Sequence, residues 1–361
     1  WQLHAYYFEK IILLLGGNKM KKTISLILVV IMIMSIGLTA CTPAPSQPQT
    51  PNGETPKDKV TLNMSVTSAS GSTWEKGALK FAELVNERTD GAFEIKVYPN
   101  EQLSGGNQGK GIEMLMSGAT DLSYHSNIIY SIMDERFGVI SLPFLFSSVD
   151  FVDQALAGEG GKAINELLLD KNVVGLGFGE NGFRQLTTGK KAVRSFEDIQ
   201  NQKIRIPGMK MYTLLFQAIG TDPLTMNFAE VFTALQQGTI DGQENPLDTI
   251  YAAKIHEVQK YITLWDYSYD ALILGINKDK FDSFDAETQQ IFRDAAKEAC
   301  EYQVQINREL GEEQLQIFKD AGMEVITLSE EQKAPFREAV QVVYDEYEPI
   351  MGELIDLFKE K

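Results

Sequence analysis

From Val60 onward the sequence predicts an α/β protein. Two observations carry this. Stretches that alternate apolar and polar residues, the period of a half-buried strand, repeatedly give way to stretches with the three-to-four spacing of a helix face. The stretch that shows this pattern is also about 300 residues long, enough for two lobes with a core each. The alternation supports the class without fixing a topology.

In chain order, Val60–Thr67 alternates as a strand. Thr73–Arg88 has helical spacing through Trp74, Leu79, Phe81, Ala82 and Val85. Phe93–Tyr98 alternates again, Gly111–Met116 reads as a helix and Thr120–Tyr124 as a short strand. Val173–Phe178 and Lys203–Ile206 are later strands. Asn227 with Glu230 three residues on resembles a capping box for a helix Phe228–Gln237. Ala271–Ile276 is an apolar strand, and Asp285 opens a long helical region reaching Asp320. Glu324–Leu328 makes a last strand. Ser329 can then cap a terminal helix carrying Phe336, Val340, Val343 and Tyr347.

Residues 1–19 are expected to be translated leader rather than protein: Met20-Lys21-Lys22 and the apolar run Ile24–Leu38 read as the start of a signal peptide, 20–40. Gly16-Gly17 would be encoded where a ribosome-binding site lies. Leu38-Thr39-Ala40-Cys41 resembles a lipobox, which makes Cys41 the expected lipidation site and membrane anchor. Residues 41–59 hold five prolines among Ser, Thr and Gln, the composition of an extended spacer. Cys300 is the other of the two cysteines, so no intrachain disulfide is available once Cys41 is lipidated; its helical setting suggests a passive buried thiol. Trimming at Cys41 takes the formal charge from −17 to about −20. Such acidity argues against nucleic acid as a partner, because phosphates demand basic patches. An anion site in this chain must work by short-range guanidinium contacts, since distant surface charge is screened beyond roughly 8–10 Å.

Two stretches stand out chemically. Gln236–Pro246 reads QQGTIDGQENP, where Pro246 restricts Asn245 to extended geometry and two glycines permit tight turns. It looks like a polar loop that holds an amide in place. Upstream, Arg205 sits in an apolar strand between Ile204 and Ile206. A fixed guanidinium, whose planar fork matches two carboxylate oxygens, together with a fixed amide suits capture of a carboxylate. The order and spacing of Asn181-Gly182-Phe183-Arg184, Lys203–Pro207, Gly220–Pro246 and Lys254–Leu264 resemble the solute-binding protein of a tripartite ATP-independent periplasmic (TRAP) transporter, the DctP family. The resemblance runs from about Val60 to the C-terminus. One departure stands out: the family commonly has Thr-Gly-His or Thr-Asn-His where this chain has Leu264-Trp265-Asp266-Tyr267, so ligand identity does not carry over.

The resemblance implies a two-lobe periplasmic-binding-protein-like α/β fold with an interlobe cleft, hinge crossings and a long bracing helix. Mapped here, lobe one is 60–181 plus 271–310 and lobe two is 182–270 plus 311–361. It implies that Arg205 pairs with the ligand carboxylate, that Arg184 stands near the same carboxylate, that Asn245 supplies an amide and that Phe228 floors the pocket. Trp74 at the mouth and Ser126 and Asn127 after a first-lobe strand are further candidates. Asp266, with Trp265 and Asp270, could read the rest of the ligand; acidic acceptors there, together with Glu180, favour a hydroxylated sugar acid over a bare dicarboxylate. Glu230, Gln243 and Glu244 read as scaffold.

No cofactor or metal is expected. Gly105–Gly111 lacks phosphate-loop spacing, and Lys260 stands where a zincin helix after His256-Glu257 would need its second histidine. No Gly-x-Ser-x-Gly elbow is present. The expected function is non-enzymatic: a monomeric, lipid-anchored extracytoplasmic receptor that passes a sugar acid or C4-dicarboxylate to the small and large membrane subunits of a TRAP permease. A ligand-sensing protein for a membrane receptor, or an extracellular enzyme on acidic sugars, are the alternatives. An enzyme would need a general base facing the ligand, and no recognisable constellation supplies one.

Overall fold

A computed structural model describes residues 59–359. The signal peptide, Cys41 and the proline-rich spacer up to Asp58 lie outside them. The strands are β1 (Val60–Val66), β2 (Phe93–Tyr98), β3 (Leu122–Ser126), β4 (Val173–Phe183), β5 (Gln185–Thr188), β6 (Lys203–Ile206), β7 (Asp222–Thr225), β8 (Gly242–Asn245), β9 (Tyr261–Leu264), β10 (Tyr269–Asn277) and β11 (Glu324–Thr327). They form a five-stranded sheet, β2-β1-β3-β10-β4, and a six-stranded sheet, β11-β9-β5-β8-β6-β7.

In the first sheet β1 runs parallel to β2 and β3, with the helices Thr73–Arg88 and Gln108–Met116 as crossovers. β10 is antiparallel to β3 and β4, and all nine of its residues are buried, which is why it reads as an unbroken apolar run. The helix Thr73–Arg88 starts where the Ser72 hydroxyl accepts from the Glu75 N–H, and it buries Trp74, Ala78, Phe81 and Val85 on one face. In the second sheet β6 is parallel to β7 and β8, while β5 is antiparallel to β8 and β9.

The chain passes between the sheets at three places. β4 ends in the first sheet at Phe183 and β5 begins in the second at Gln185, so Arg184 alone joins them. The return runs from β9 to β10 through Trp265–Ser268, and the Arg184 N–H donates to the Ser268 carbonyl at 2.9 Å, tying the two crossings together. The third passage is the helix Ala286–Asp320, capped by the Asp285 carboxylate on the Thr288 N–H. Its first half packs on β4 and on Thr73–Arg88, its second on the helix Leu247–Ala252 and on β11. Cys300 is buried in that helix, and burial pushes its thiol up to about 12, so it stays protonated and inert at neutral pH. Among the described residues no helix is long and apolar enough to cross a membrane.

Three expectations differ from the structure. The C-terminal region is three helices, Glu330–Ala339, Gln341–Met351 and Glu353–Phe358, not one; Gly352 adopts φ 32° at the second break. Ser329 and Gln332 do form a capping box there, whereas Asn227 makes no cap bond and its amide donates to Glu230 Oε1 at 3.3 Å. The larger difference concerns Gln236–Pro246. Gly238 takes the expected left-handed turn (φ 70°), but Gly242–Asn245 is no loop: it is β8, four buried residues between β5 and β6. Gly242 serves close approach rather than a turn, because a Cβ there would stand 2.2 Å from the Thr187 carbonyl oxygen. Gly242→Ala should therefore push β8 off β5 and cost about 1–3 kcal/mol, read as a fall in Tm. A variant as stable as the parent would show that the two strands can part freely.

Candidate functional site

The ends of β1 and β3 from one sheet and of β6 and β8 from the other meet at a cavity, in keeping with the rule that open α/β sheets bind ligands beyond their strand carboxyl ends. The cavity is open to solvent and comprises about 350 Å³ of empty space, its open part included. That bounds its occupant to a small molecule. Among the described residues no group of three or more His, Cys, Asp and Glu could hold a metal ion.

Arg205 enters from β6. Strand alternation would turn its neighbours Ile204 and Ile206 away from it, and all three are buried, Arg205 at 1 % exposure. Its Nε and Nη2 both donate to the Met226 carbonyl, at 3.0 and 2.6 Å, and its guanidinium stands 5.8 Å from the Phe228 ring centroid. Among the described residues no carboxylate forms an ion pair with it. Burial pulls its pKa down to about 10, against the partial support of Glu244, so it remains a cation at neutral pH. A desolvated cation without a counter-ion is costly, and its natural compensation is an anion in the cavity it lines.

Arg184 is in the opposite condition. Its Nε donates to Glu244 Oε2 and its Nη1 to Asp270 Oδ2. Nη2 donates to the Glu244 carbonyl at 2.9 Å, to Glu244 Oε1 at 3.0 Å and to Asn245 Oδ1 at 3.0 Å. Burial acts to lower its pKa, but Glu244, then Tyr212 and Asp270, carry it well above the ordinary value. Asp270 itself is raised by burial, with Arg184, Ser126 and Asn181 pulling back. Tyr267 donates to Glu244 Oε2 at 2.7 Å, and Asn181 Nδ2 to Asp270 Oδ2 at 2.7 Å. One guanidinium thus joins a carboxylate of each sheet at the single-residue crossing.

Trp74, Ser126, Arg184, Arg205, Phe228 and Asn245 all line the cavity, as does Asp270. Asn245 is locked, its Nδ2 donating to Gln243 Oε1 and its Oδ1 accepting from Arg184. Two candidates stand elsewhere. Asn127 is fully buried away from the cavity, its amide donating to the Phe137 carbonyl and Ser141 Oγ and accepting from the Ala271 N–H. Asp266, in left-handed backbone (φ 50°) with its side chain 49 % exposed, accepts from Gln185 Nε2 at 2.6 Å. Trp265 is packed into an aromatic cluster with Tyr267, Phe216 and Phe336. Glu180 lies outside too, accepting from Tyr269 and Arg308. The lining also includes Thr67, Ser68, Gln108, Asn181 and Thr249, which the sequence reading did not single out as ligand contacts. The carboxyl end of the alternating strand β1 was the available signal for the first two. Asn181 Oδ1 accepts from Trp74 Nε1 at 3.1 Å and from Thr249 Oγ1 at 2.8 Å, linking the two sides of the cavity.

The model of the bacterial extracellular solute-binding protein family 7, DctP, matches residues 64–349. The chain belongs to the DctP family of TRAP transporter solute-binding proteins. The 2,3-diketo-L-gulonate-binding periplasmic protein YiaO of Escherichia coli K12 is 34 % identical over 250 residues, covering 69 % of this chain and 76 % of its own. The C4-dicarboxylate-binding periplasmic protein DctP of Rhodobacter capsulatus is 33 % identical over 279 residues, covering 77 % and 83 %. Among solved structures, a TRAP periplasmic solute-binding protein of Ralstonia eutropha H16 with bound (S)-2-acetolactate superposes with a TM-score of 0.80 at 32 % identity, covering 82 % of this chain and 97 % of that one. DctP proteins are two-lobed solute receptors rather than enzymes, and the two sheets and three crossings described above, one of them the spanning helix, are this chain's version of that architecture.

Proposed function

We propose that this protein captures an organic-acid anion, a sugar acid or a C4-dicarboxylate, outside the cytoplasm and delivers it to the small and large membrane subunits of a TRAP permease. The observation that carries the reading is Arg205: a buried guanidinium with no carboxylate partner among the described residues, lining a cavity of small-molecule size. A ligand carboxylate completes it. Arg184 and Asn245 fix the geometry beside it, and Phe228 closes the wall. The ligands named for the relatives above are organic acids too, which supports the same class. Lipidation at Cys41 tethers the receptor to the membrane, and the lobes are 60–181 with 271–310 and 182–270 with 311–361. At the two strand crossings, the membership of the strands in the two sheets supports those bounds to within two residues.

A thermal-shift panel of C4-dicarboxylates, uronates, aldonates, 2-oxo acids and sialic acid on the purified protein tests the reading. An acid at 100 times its Kd should stabilise by about 2.7 kcal/mol. If no acid moves the Tm, carboxylate capture is refuted.

A further inference from the structure

The charge inventory of the cavity narrows the ligand further, taking Arg205 as the partner of one carboxylate. We propose that the ligand carries a single carboxylate, that the rest of it bears neutral hydroxyl or oxo groups, and that the site rejects dicarboxylates. Two cations line the cavity, and they are not equivalent. Arg184 already faces two carboxylates, Glu244 and Asp270, and spends its donors on them and on Asn245. Only Arg205 lacks an ion pair among the described residues that line the cavity. One free cation neutralises one carboxylate.

The remaining wall is unsuited to a second anion. Its polar side chains are the neutral Thr67, Ser68, Gln108, Ser126, Asn181 and Thr249, and its one ionisable acid is Asp270. A second carboxylate drawn in among these groups would lose water without gaining a counter-ion and stand near the Asp270 carboxylate, the two costs that make a buried charge unfavourable. The same wall is well matched to neutral polar groups. Ser68 Oγ is buried and has no hydrogen-bond partner among the described residues. A buried polar atom of this kind is ordinarily satisfied, so Ser68 Oγ is open to a ligand hydroxyl or oxo group. Asp270 still has lone pairs to accept from a hydroxyl. The YiaO and DctP relatives are named for one ligand of each kind, so likeness alone does not make this choice; the residues of this chain do.

The test is calorimetric titration of the purified protein at about pH 7.5 with carbon-matched pairs of a monoacid and its diacid. In each pair a terminal CH2OH of the monoacid is a carboxylate in the diacid: erythronate is set against meso-tartrate, galactonate against galactarate and 4-hydroxybutyrate against succinate, with one further pair built on whichever acid the thermal panel identifies. The monoacid of the binding pair should bind roughly 100-fold or more tightly than its diacid. Asp270→Asn should narrow that ratio by lifting the repulsion, and Ser68→Ala should weaken the hydroxylated monoacid. A diacid that binds within tenfold of its monoacid, or more tightly, overturns the single-charge inference and leaves carboxylate capture standing. Failure of every acid in the panel removes both. The wild-type ratio alone decides the case if Asp270→Asn does not fold.

Discussion

Arg205→Met is expected to abolish ligand binding and yet leave the ligand-free protein close to wild-type stability. The two halves of this expectation come from one observation. In the ligand-free chain the guanidinium is buried, donates only to the Met226 carbonyl and forms no ion pair among the described residues. Removing it strands that carbonyl, at a cost of about 1–3 kcal/mol, but also removes the desolvation penalty of an unpaired cation, which pulls the other way. Methionine is unbranched and fills much of the vacated volume beside Phe228. The ligand-free Tm should therefore move little in either direction. Binding is different, because the ligand carboxylate would be left desolvated with no partner. Truncating one member of such a pair costs about 2–5 kcal/mol, which is roughly 30- to 5,000-fold in Kd. Arg205→Lys keeps the charge but loses the planar fork, so it should fall between the two. Calorimetry with the acid found in the panel, beside urea melts of the ligand-free proteins, checks both halves. Intact binding in Arg205→Met would mean the carboxylate sits elsewhere. A large loss of ligand-free stability would mean Arg205 is a scaffold residue.

The contrast between the two arginines was not legible in the sequence, and the reason is physical. Arg205 announces itself through its neighbours, a charge inserted in an apolar strand, and the structure does bury it at the cavity. Arg184 carries the same formal charge, but what it does depends on Glu244 and Asp270, which are 60 and 86 residues away in sequence. Elements with an apolar period were readable to the residue: Thr73–Arg88, Phe93–Tyr98 and Lys203–Ile206 have the bounds their spacing predicts. β8 was not, because Gly-Gln-Glu-Asn has no apolar period and low strand propensity. It is a strand because Glu244 and Asn245 are partners of Arg184 and because bare Gly242 lets the Thr187 backbone come close. Adjacency in sequence also misled at Asn127. The strand ends at Ser126, which caps a short helix Asn127–Tyr130, so Ser126 lines the cavity while Asn127 begins the helix and its amide bonds to Phe137, Ser141 and Ala271 instead. At Asp266 the same logic applies to the crossing segment, whose inward positions are filled by Trp265 and Tyr267.

The cluster at the crossing should be the most sensitive point of the fold. Arg184→Ala leaves Glu244 and Asp270, both essentially buried, without the cation that joins them. Breaking a buried pair from one side typically costs about 3–5 kcal/mol, a large share of the roughly 5–15 kcal/mol that holds a domain folded. The deficit should depend on pH in a stated direction. Burial already raises Asp270 above its ordinary value with Arg184 present, and Arg184 is the first of the groups opposing that rise. Without Arg184 it rises further. A carboxyl whose folded pKa exceeds its unfolded value binds more protons when folded, so stability increases as pH falls through that window. The window opens above the ordinary carboxylate value of about 3.9 and extends higher in the variant than in the parent. The stability gap between the two proteins should therefore be widest near about pH 8 and narrow toward about pH 5. Urea unfolding of both proteins across that range reads the gap directly. A gap under about 1 kcal/mol at every pH would show that the crossing is held by the packing of Trp265, Tyr267 and Phe216 rather than by charge. A large gap independent of pH would locate the loss in the hydrogen bonds from Arg184 to the Glu244 carbonyl and Asn245, with Asp270 protonated throughout.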